Sequence, residues 1–245
     1  PGAGAYIKGL YDIGIDAVIV ADPSLIAICK EVAPELEIHL STQANTVNWV
    51  STKFWYDLGV KRVVLARELT FKEIETITSK IPEDCEIEAF VHGSMCVAYS
   101  GRCLISNYML GRDANKGICG NVCRYKYHLV EETRPGMYYP VIEDDNGTYI
   151  MNSKDLCMIK YIPELVKSGI DSFKIEGRMK SEFYVASVVK AYREALDTYF
   201  ENPEEYEFKD KWMDILNKIS HRPYHTGFFL GLSGEQNYSE STYVR

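Results

Sequence analysis

Up to about position 95 the chain alternates between two hydrophobic periods. Tyr6, Leu10 and Ile13 form a stripe at helical spacing that ends near Gly14. The apolar run Ala17 to Val20 follows, closed by Ala21, Asp22 and a helix-starting Pro23. The alternation recurs as strand Glu37–Leu40 and helix Val47–Leu58, strand Arg62–Leu65 and helix Phe71–Ser79, then strand Ile87–Val91. After a long interruption it resumes with helix Leu156–Lys167, strand Ser172–Ile175 and helix Glu182–Phe200, and a last helix spans Trp212–Ile219. Short strands separated by helices, with Gly14, Gly59 and Gly169 at the turns before them, predict right-handed βαβ units and a parallel sheet.

Five strands are legible, and the first helix has no strand ahead of it. The expected fold is α/β: a (β/α)8 TIM-type barrel, N-terminally truncated with about five of eight strands present, in a chain that opens at Pro1 without an initiator Met and reads as a fragment. The alternative is an open doubly wound sheet, although no phosphate-cradling glycine loop follows any strand. The interruption is too long for a simple βα loop. It reads as a small antiparallel β insertion from Tyr125–Glu131, Tyr138–Ile142 and Thr148–Met151, with Asp145-Asn146-Gly147 as the turn. The expected division is 1–95 with 153–202 as the partial barrel, 96–152 as a cysteine-containing loop and hairpin, and 203–245 as a C-terminal helix and extension. Residues His221 to Phe228 are expected to lead outward.

Composition bounds the class. The chain is 46% hydrophobic and 25% charged over 245 residues, the balance of a globular protein with a real core. Its net charge of −8 excludes a wholly basic surface but leaves room for a local basic patch. Seven cysteines, an odd number spread through an α/β pattern, fit metal-bound and free thiols in a reducing, cytoplasmic compartment better than a disulfide framework. No apolar run reaches the ~18 residues of a membrane helix, so no membrane partner is expected.

Polar residues crowd the C-terminal ends of the strands. Asp22 follows the first, Ser41, Thr42, Gln43 and Asn45 the second, Arg67 and Glu68 the third, His92 the fourth, Glu176 and Arg178 the fifth. In a barrel these ends share the active-site face, although each residue alone reads equally as a helix cap or loop hydrogen-bonder. His92, Lys174 and Glu176 are the candidate catalytic groups. Alternation puts Lys174 and Glu176 on one side of their strand, as a catalytic pair or an internal ion pair. Arg178 and Lys180, near a helix start, add capacity for a carboxylate or phosphate.

Four of the cysteines fall between Glu88 and Arg124. Structural zinc sites favour two short Cys-x2-Cys knuckles. The dispersed set Cys96, Cys103, Cys119 and Cys157, with Cys123 as the alternative to Cys119, suits an iron–sulfur cluster instead, and zinc remains the alternative metal. Cys29, on a helix, and Cys85, in a turn, read as buried apolar residues. The loop from Arg102 to Lys126 carries Arg102, Arg112, Lys116, Arg124 and Lys126 against Asp113 alone, with Tyr99, Tyr108, Tyr125 and Tyr127 interleaved or adjacent. Cations neutralise phosphates while aromatic faces stack on splayed bases, so this loop reads as an RNA grip or as a solvated loop. A protease would need a nucleophile or a metal-held water, and neither HExxH nor GxSxG occurs. A cysteine nucleophile paired with His92 is the remaining arrangement, closed to any thiolate committed to a metal.

The run Glu88-Ala89-Phe90-Val91-His92-Gly93-Ser94-Met95-Cys96, followed by Ser100-Gly101-Arg102-Cys103-Leu104-Ile105-Ser106, resembles the signature of the collagenase-like peptidase family U-32. Ser41-Thr42-Gln43, Asn115 to Arg124, Lys174 to Lys180 and His221 to Gly227 resemble further motifs of that family. The resemblance implies a barrel-like domain. It also implies relatives that hydroxylate tRNA wobble uridine using prephenate, hydroxylate ribosomal RNA, or hydroxylate ubiquinone precursors, several with a [4Fe–4S] cluster on four cysteines. The matching positions here are Cys96, Cys103, Cys119 and Cys157, with Cys123 the alternative. A tRNA substrate bound through Gln43, Arg67, Arg102, Arg112, Arg124, Arg178 and Lys180, with a small carboxylate co-substrate, is the expectation that follows. A peptidase and a non-enzymatic accessory protein are the alternatives.

Overall fold

The structure, a computed structural model, describes residues 2–96, 98–125, 143–144, 147–148 and 154–231. In chain order the elements are α1 (Ala3–Asp12), β1 (Ala17–Val20), α2 (Pro23–Val32), β2 (Glu37–Leu40), α3 (Trp49–Asp57), β3 (Arg62–Val64), α4 (Phe71–Thr78) and β4 (Glu86–Ser94). Then come α5 (Ile105–Leu110), β5 (Glu143–Asp144), β6 (Gly147–Thr148), β7 (Asp155–Cys157), α6 (Ile162–Lys167), β8 (Ser172–Ile175), α7 (Glu182–Glu201), α8 (Asp210–Asn217) and β9 (Tyr224–His225). The architecture is mixed α/β with mostly parallel strand pairing, in two compact units.

The first unit comprises residues up to Phe90 together with Pro163–Lys174. Here β1, β2, β3 and the start of β4 pair in parallel in that order. Ile38, Leu40, Val63, Val64 and Ile87 on these strands are buried, as are Ile26 and Cys29 on α2 and Ile74 and Ile77 on α4. Helix starts are fixed locally: the Asp22 side chain accepts from Ser24 N at 2.8 Å, and Thr70 and Glu73 form a reciprocal capping box on α4. Asp171 places β8 beside β4, its backbone N donating to Ile87 O (2.9 Å) while its carboxylate accepts from Ile87 N (2.7 Å). The stripe read on α1 is not its buried face. Tyr6 and Ile13 are exposed and Ile7 is buried, because among the described residues β1 pairs with β2 alone and little covers that edge.

The second unit comprises Val91–Ile162 and Ile175–Arg245. The end of β4 pairs antiparallel with β7, His92 opposite Cys157, and β7 pairs in parallel with β9, Asp155 opposite Tyr224. Two expectations are corrected here. Cys157 lies on a strand, not on a helix running from Leu156 to Lys167. Leu156, Ile159, Ile162 and Leu165, all buried at intervals of three, carry an apolar rhythm straight across the break between β7 and α6. The segment from His221 does not lead outward: it returns as β9, with His221 and Arg222 buried.

The long helix α7 packs Tyr184, Val188, Ala191, Tyr192, Ala195 and Tyr199 inward, and α8 adds the fully buried Trp212. In the insertion, β5 and β6 pair at the foreseen turn, Asp144 opposite Gly147. The strands read over Tyr125–Glu131 and Tyr138–Ile142, the end of Thr148–Met151, the turn residues Asp145 and Asn146, and Lys126 and Tyr127 lie outside the described residues, apart from Tyr125 and Thr148 themselves. Among the described residues no helix is long and apolar enough to cross a membrane.

Candidate functional site

In the first unit the strand-end residues mostly serve the backbone. Ser41 Oγ accepts from Gln43 N at 3.2 Å, and buried Thr42 donates to Leu65 O at 2.9 Å, so the Ser41-Thr42-Gln43 motif is a fixed turn holding Gln43 half-buried. The Arg67 guanidinium lies 3.9 Å from the Phe90 ring centroid, with Lys174 Nζ at 5.5 Å from the same ring. Lys174 is committed to Glu88: Nζ to Oε1 is 2.6 Å, and Ser172 Oγ (2.9 Å) and Arg62 (3.4 Å) reach the other carboxylate oxygen. Burial raises the Glu88 pKa, but Lys174, Ser172 and Arg62 outweigh it and hold the carboxyl below its ordinary value. Lys174 is therefore ion-paired with Glu88 rather than with Glu176, the partner that strand alternation suggested.

In the second unit a buried polar cluster surrounds His92. The imidazole is 1% exposed, and among the described residues neither ring nitrogen has a hydrogen-bond partner. Burial pushes its pKa down to about 3, against a smaller opposing pull from Asp155, so it is neutral. Its ring centroid lies 5.5 Å from Tyr192, 5.4 Å from Tyr224 and 6.1 Å from Tyr184, and Tyr224 stacks on His221 at 4.0 Å. The Tyr192 hydroxyl donates to Val91 O (2.8 Å) and accepts from Met158 N (2.9 Å), tying β4 to the end of β7. Beside it, the Arg222 side chain contacts Asp155 Oδ1 at 2.7 and 2.9 Å, while its backbone N donates to Oδ2 at 3.0 Å. Both residues are fully buried, and Arg222 is what compensates the Asp155 carboxylate.

Sequence reasoning missed Asp155, Arg222, Tyr184, Tyr192 and Tyr224. The tyrosines of α7 carry a signal, since Tyr184, Val188 and Tyr192 recur every four residues as a core face. A lone Asp155 gives none.

Glu176 sits where β4 and the start of α7 meet. Its backbone N donates to His92 O at 2.9 Å, and its carboxylate, half-buried, accepts from Arg178 N at 2.9 Å. A side chain on Gly93, at φ +112°, would strike the Glu176 carbonyl oxygen; the chain passes this close only because residue 93 is glycine. Arg178 is exposed and lies against Gly117 of the insertion loop, where a Cβ would meet its guanidinium at 3.4 Å. Lys180 Nζ donates to Ser220 O at 3.2 Å and lies 4.8 Å from the Tyr184 ring centroid. With Lys218, Phe183 and Ser220 it lines an open cavity of about 280 Å³. Arg102 and Arg112 are exposed on the loop; the Arg124 side chain is outside the described part.

The candidate metal ligands all lie in this unit. Cys96 follows β4, Cys103 is buried just before α5, and Cys119 Sγ accepts from Asn121 N at 3.3 Å. Cys123 is half-buried, and Cys157 is buried on β7 with its thiol pushed up to about 11 by burial. The thiols of Cys96, Cys103, Cys119, Cys123 and Cys157, none of them in a disulfide, suit thiophilic iron as donors. Among the described residues, no three cysteine, histidine or acidic side chains gather closely enough to hold a metal ion. Among the described residues a Cys–His92 dyad is not formed either, since both His92 nitrogens lack hydrogen-bond partners there. Cys29 and Cys85 are buried in the first unit, with thiols raised by burial.

The model of peptidase family U32 matches residues 1–239. The chain is 44% identical to tRNA hydroxylation protein P1 of Bacillus subtilis, over 96% of this chain and 56% of that protein. It is 41% identical to tRNA hydroxylation protein P of Escherichia coli, over 91% and 57%. Against the Escherichia coli 23S rRNA 5-hydroxycytidine C2501 synthase it is 37% identical, over 80% of this chain and 28% of the relative. The chain thus spans about half the length of the first two curated relatives it matches. Both the motifs around His92 and Cys96 and the match across nearly all of its residues lead to one assignment: the chain belongs to peptidase family U32.

Proposed function

We propose that this chain forms part of an RNA-modifying hydroxylase, acting on the wobble uridine of tRNA at carbon 5 in a prephenate-dependent reaction. The observation that carries the reading is 44% identity over 96% of the chain to a protein named for tRNA hydroxylation. The reacting region is the end of β4 with the start of α7. Glu176 is the acid–base group there, being the candidate carboxylate that solvent reaches. His92, enclosed and neutral, acts by packing β4 against α7, and Lys174 by fixing Glu88. Arg178, Arg102, Arg112 and Arg124 neutralise phosphates in the second unit, and Gln43 and Arg67 are separate candidate RNA contacts of the first. The Lys180–Lys218 cavity suits a small carboxylate co-substrate. The same proposal takes the parallel βα units of the first half as part of a (β/α)8 barrel.

A [4Fe–4S] cluster on Cys96, Cys103, Cys119 and Cys157, with Cys123 in place of Cys119 as the alternative, belongs to the same proposal, and zinc is the competing metal. Such a cluster supplies electron-transfer or Lewis-acid chemistry when bound. A cytoplasmic location follows from a tRNA substrate and free thiols. The peptidase reading has weaker support, because the described residues assemble neither a Cys–His pair nor a metal-held water.

Nucleoside mass spectrometry of tRNA from a deletion strain tests the function. Loss of 5-hydroxyuridine-derived nucleosides, restored by the wild-type gene and not by Glu176→Gln, is expected; unchanged nucleosides would overturn it. Anaerobic purification with iron and sulfide analysis tests the cofactor: about four irons per chain, lost in Cys96→Ala and Cys157→Ala, are expected. Stoichiometric zinc would replace the cluster with a structural site.

A further inference from the structure

We propose that the outward face of α5, centred on Leu104 and Tyr108, is the platform on which this chain holds an unpaired, single-stranded stretch of RNA; the inference rests on the RNA-modifying reading above. The inner side of α5 is clamped. Ser106 is fully buried, donating to Arg112 O at 2.7 Å and accepting from Gly120 N at 2.9 Å. The Asn115 side chain accepts from Cys103 N and donates to Cys103 O, both at 3.0 Å. These bonds fix the helix and its loop with one face committed inward, so the other face is set before any ligand arrives.

Leu104 and Tyr108, four residues apart, share that outer face. They are 77% and 91% exposed, and Ile118 of the same loop is 53% exposed. An apolar and aromatic surface this open in an otherwise ordinary globular chain marks an interaction site. Charge selects the partner. Between Arg102 and Tyr125 four cations stand against Asp113 alone, a local balance of +3 in a chain of net charge −8. Arg178 adds its guanidinium at Gly117. Cations beside an exposed ring match a nucleic-acid strand, whose phosphates take the charge while its bases take the ring face. A fully paired helix would hide those faces, leaving only the cations in use.

The test is fluorescence anisotropy with the full chain, an RNA hairpin bearing an unpaired loop, and a blunt duplex of equal length and composition. The hairpin is expected to bind more tightly. Tyr108→Ala should weaken hairpin binding by about five- to a hundredfold while leaving duplex binding and far-UV circular dichroism unchanged, and Tyr108→Phe should retain wild-type affinity. Arg112→Ala should weaken both ligands and lower the salt slope by about one. Equal affinity for hairpin and duplex, or unchanged hairpin affinity in Tyr108→Ala, would overturn the platform. So would a Tyr108→Ala protein that keeps its RNA affinity but changes oligomeric state, which would give the face to a protein contact. Cellular tRNA nucleosides, read separately, decide whether the hydroxylase reading fails with it.

Discussion

The two units solve the problem of buried charge differently. In the first, Glu88 is held by Lys174, Arg62 and Ser172 in a partly solvated network, with Arg62 also paired to Glu86. In the second, Asp155 and Arg222 are sealed together while His92 is left neutral without a partner. The first arrangement spreads the Glu88 charge over three partners; in the second the Asp155 carboxylate is held by Arg222 through both its side chain and its backbone N. A regular βα lattice can place its charges at rims that water reaches. The short strands β7 and β9 have no such rim, so their polar groups must be satisfied pairwise or carried uncharged.

The largest expected effect breaks the sealed pair. Arg222→Met strands the Asp155 carboxylate and should destabilise the second unit by about 3–5 kcal/mol. Pairing it with Asp155→Leu should recover most of that loss, because two apolar residues need no compensation. The chain carries its own reporters: Trp212 lies in the second unit, Trp49 and Trp55 in the first. Urea titrations followed through Trp212, with Trp49 and Trp55 changed to Phe, read this unit alone. A midpoint unmoved by Arg222→Met would remove the contrast between the units.

The next effect is pH-dependent. His92 titrates near 6.5 when unfolded and at about 3 when folded. Its pKa is depressed by folding, so its contribution is fully present above pH 6.5 and is lost as pH falls from 6.5 towards 3, by about 1.4 kcal/mol per unit. His92→Phe should flatten this slope in metal-free protein. Glu88 has its window lower. Its folded pKa lies below 4.5, so its contribution is present above 4.5 and disappears as pH drops through the folded value. Glu88→Gln should cost about 1–3 kcal/mol at neutral pH and remove only the acid-side slope. Acid titration of the two variants therefore separates the units by the pH at which each softens.

The same contrast explains what could be read from the sequence. β1, β2 and β8 fall on the residues expected, and α2 begins at Pro23 after Asp22, because each has a period, a turn residue and a cap within a few positions. β7 was hidden. Three residues are too few for a period of two to show, and the apolar spacing through Leu156, Ile159 and Ile162 mimics a helix. β9 was hidden for the same reason, and with it the placement of Arg222. His92 and Glu176 were legible as polar residues at strand ends. That one would be sealed and the other half-open depends on α7 and β9, elements distant in sequence. The cysteines were legible as a set, but loop spacing does not fix where sulfurs meet.

The smallest effect tests whether the first unit's regularity has a local origin. Thr70 and Glu73 close a reciprocal cap on α4: Glu73 N donates to Thr70 Oγ1 at 3.3 Å, and Thr70 N donates to Glu73 Oε2 at 2.8 Å. No other unit contributes to this motif, and the residues are exposed enough that no cavity follows their removal. Thr70→Ala should therefore cost about 1 kcal/mol, read through Trp49 and Trp55 in a Trp212→Phe background, with the companion Trp212 reporter unmoved. Asn at the same position accepts the same bond without setting a second carboxylate against Glu73, so Thr70→Asn should stay near wild type. A Thr70→Ala loss seen equally by Trp212 would mean that the two units unfold as one, and the difference between their charge networks would then have no separate expression in stability.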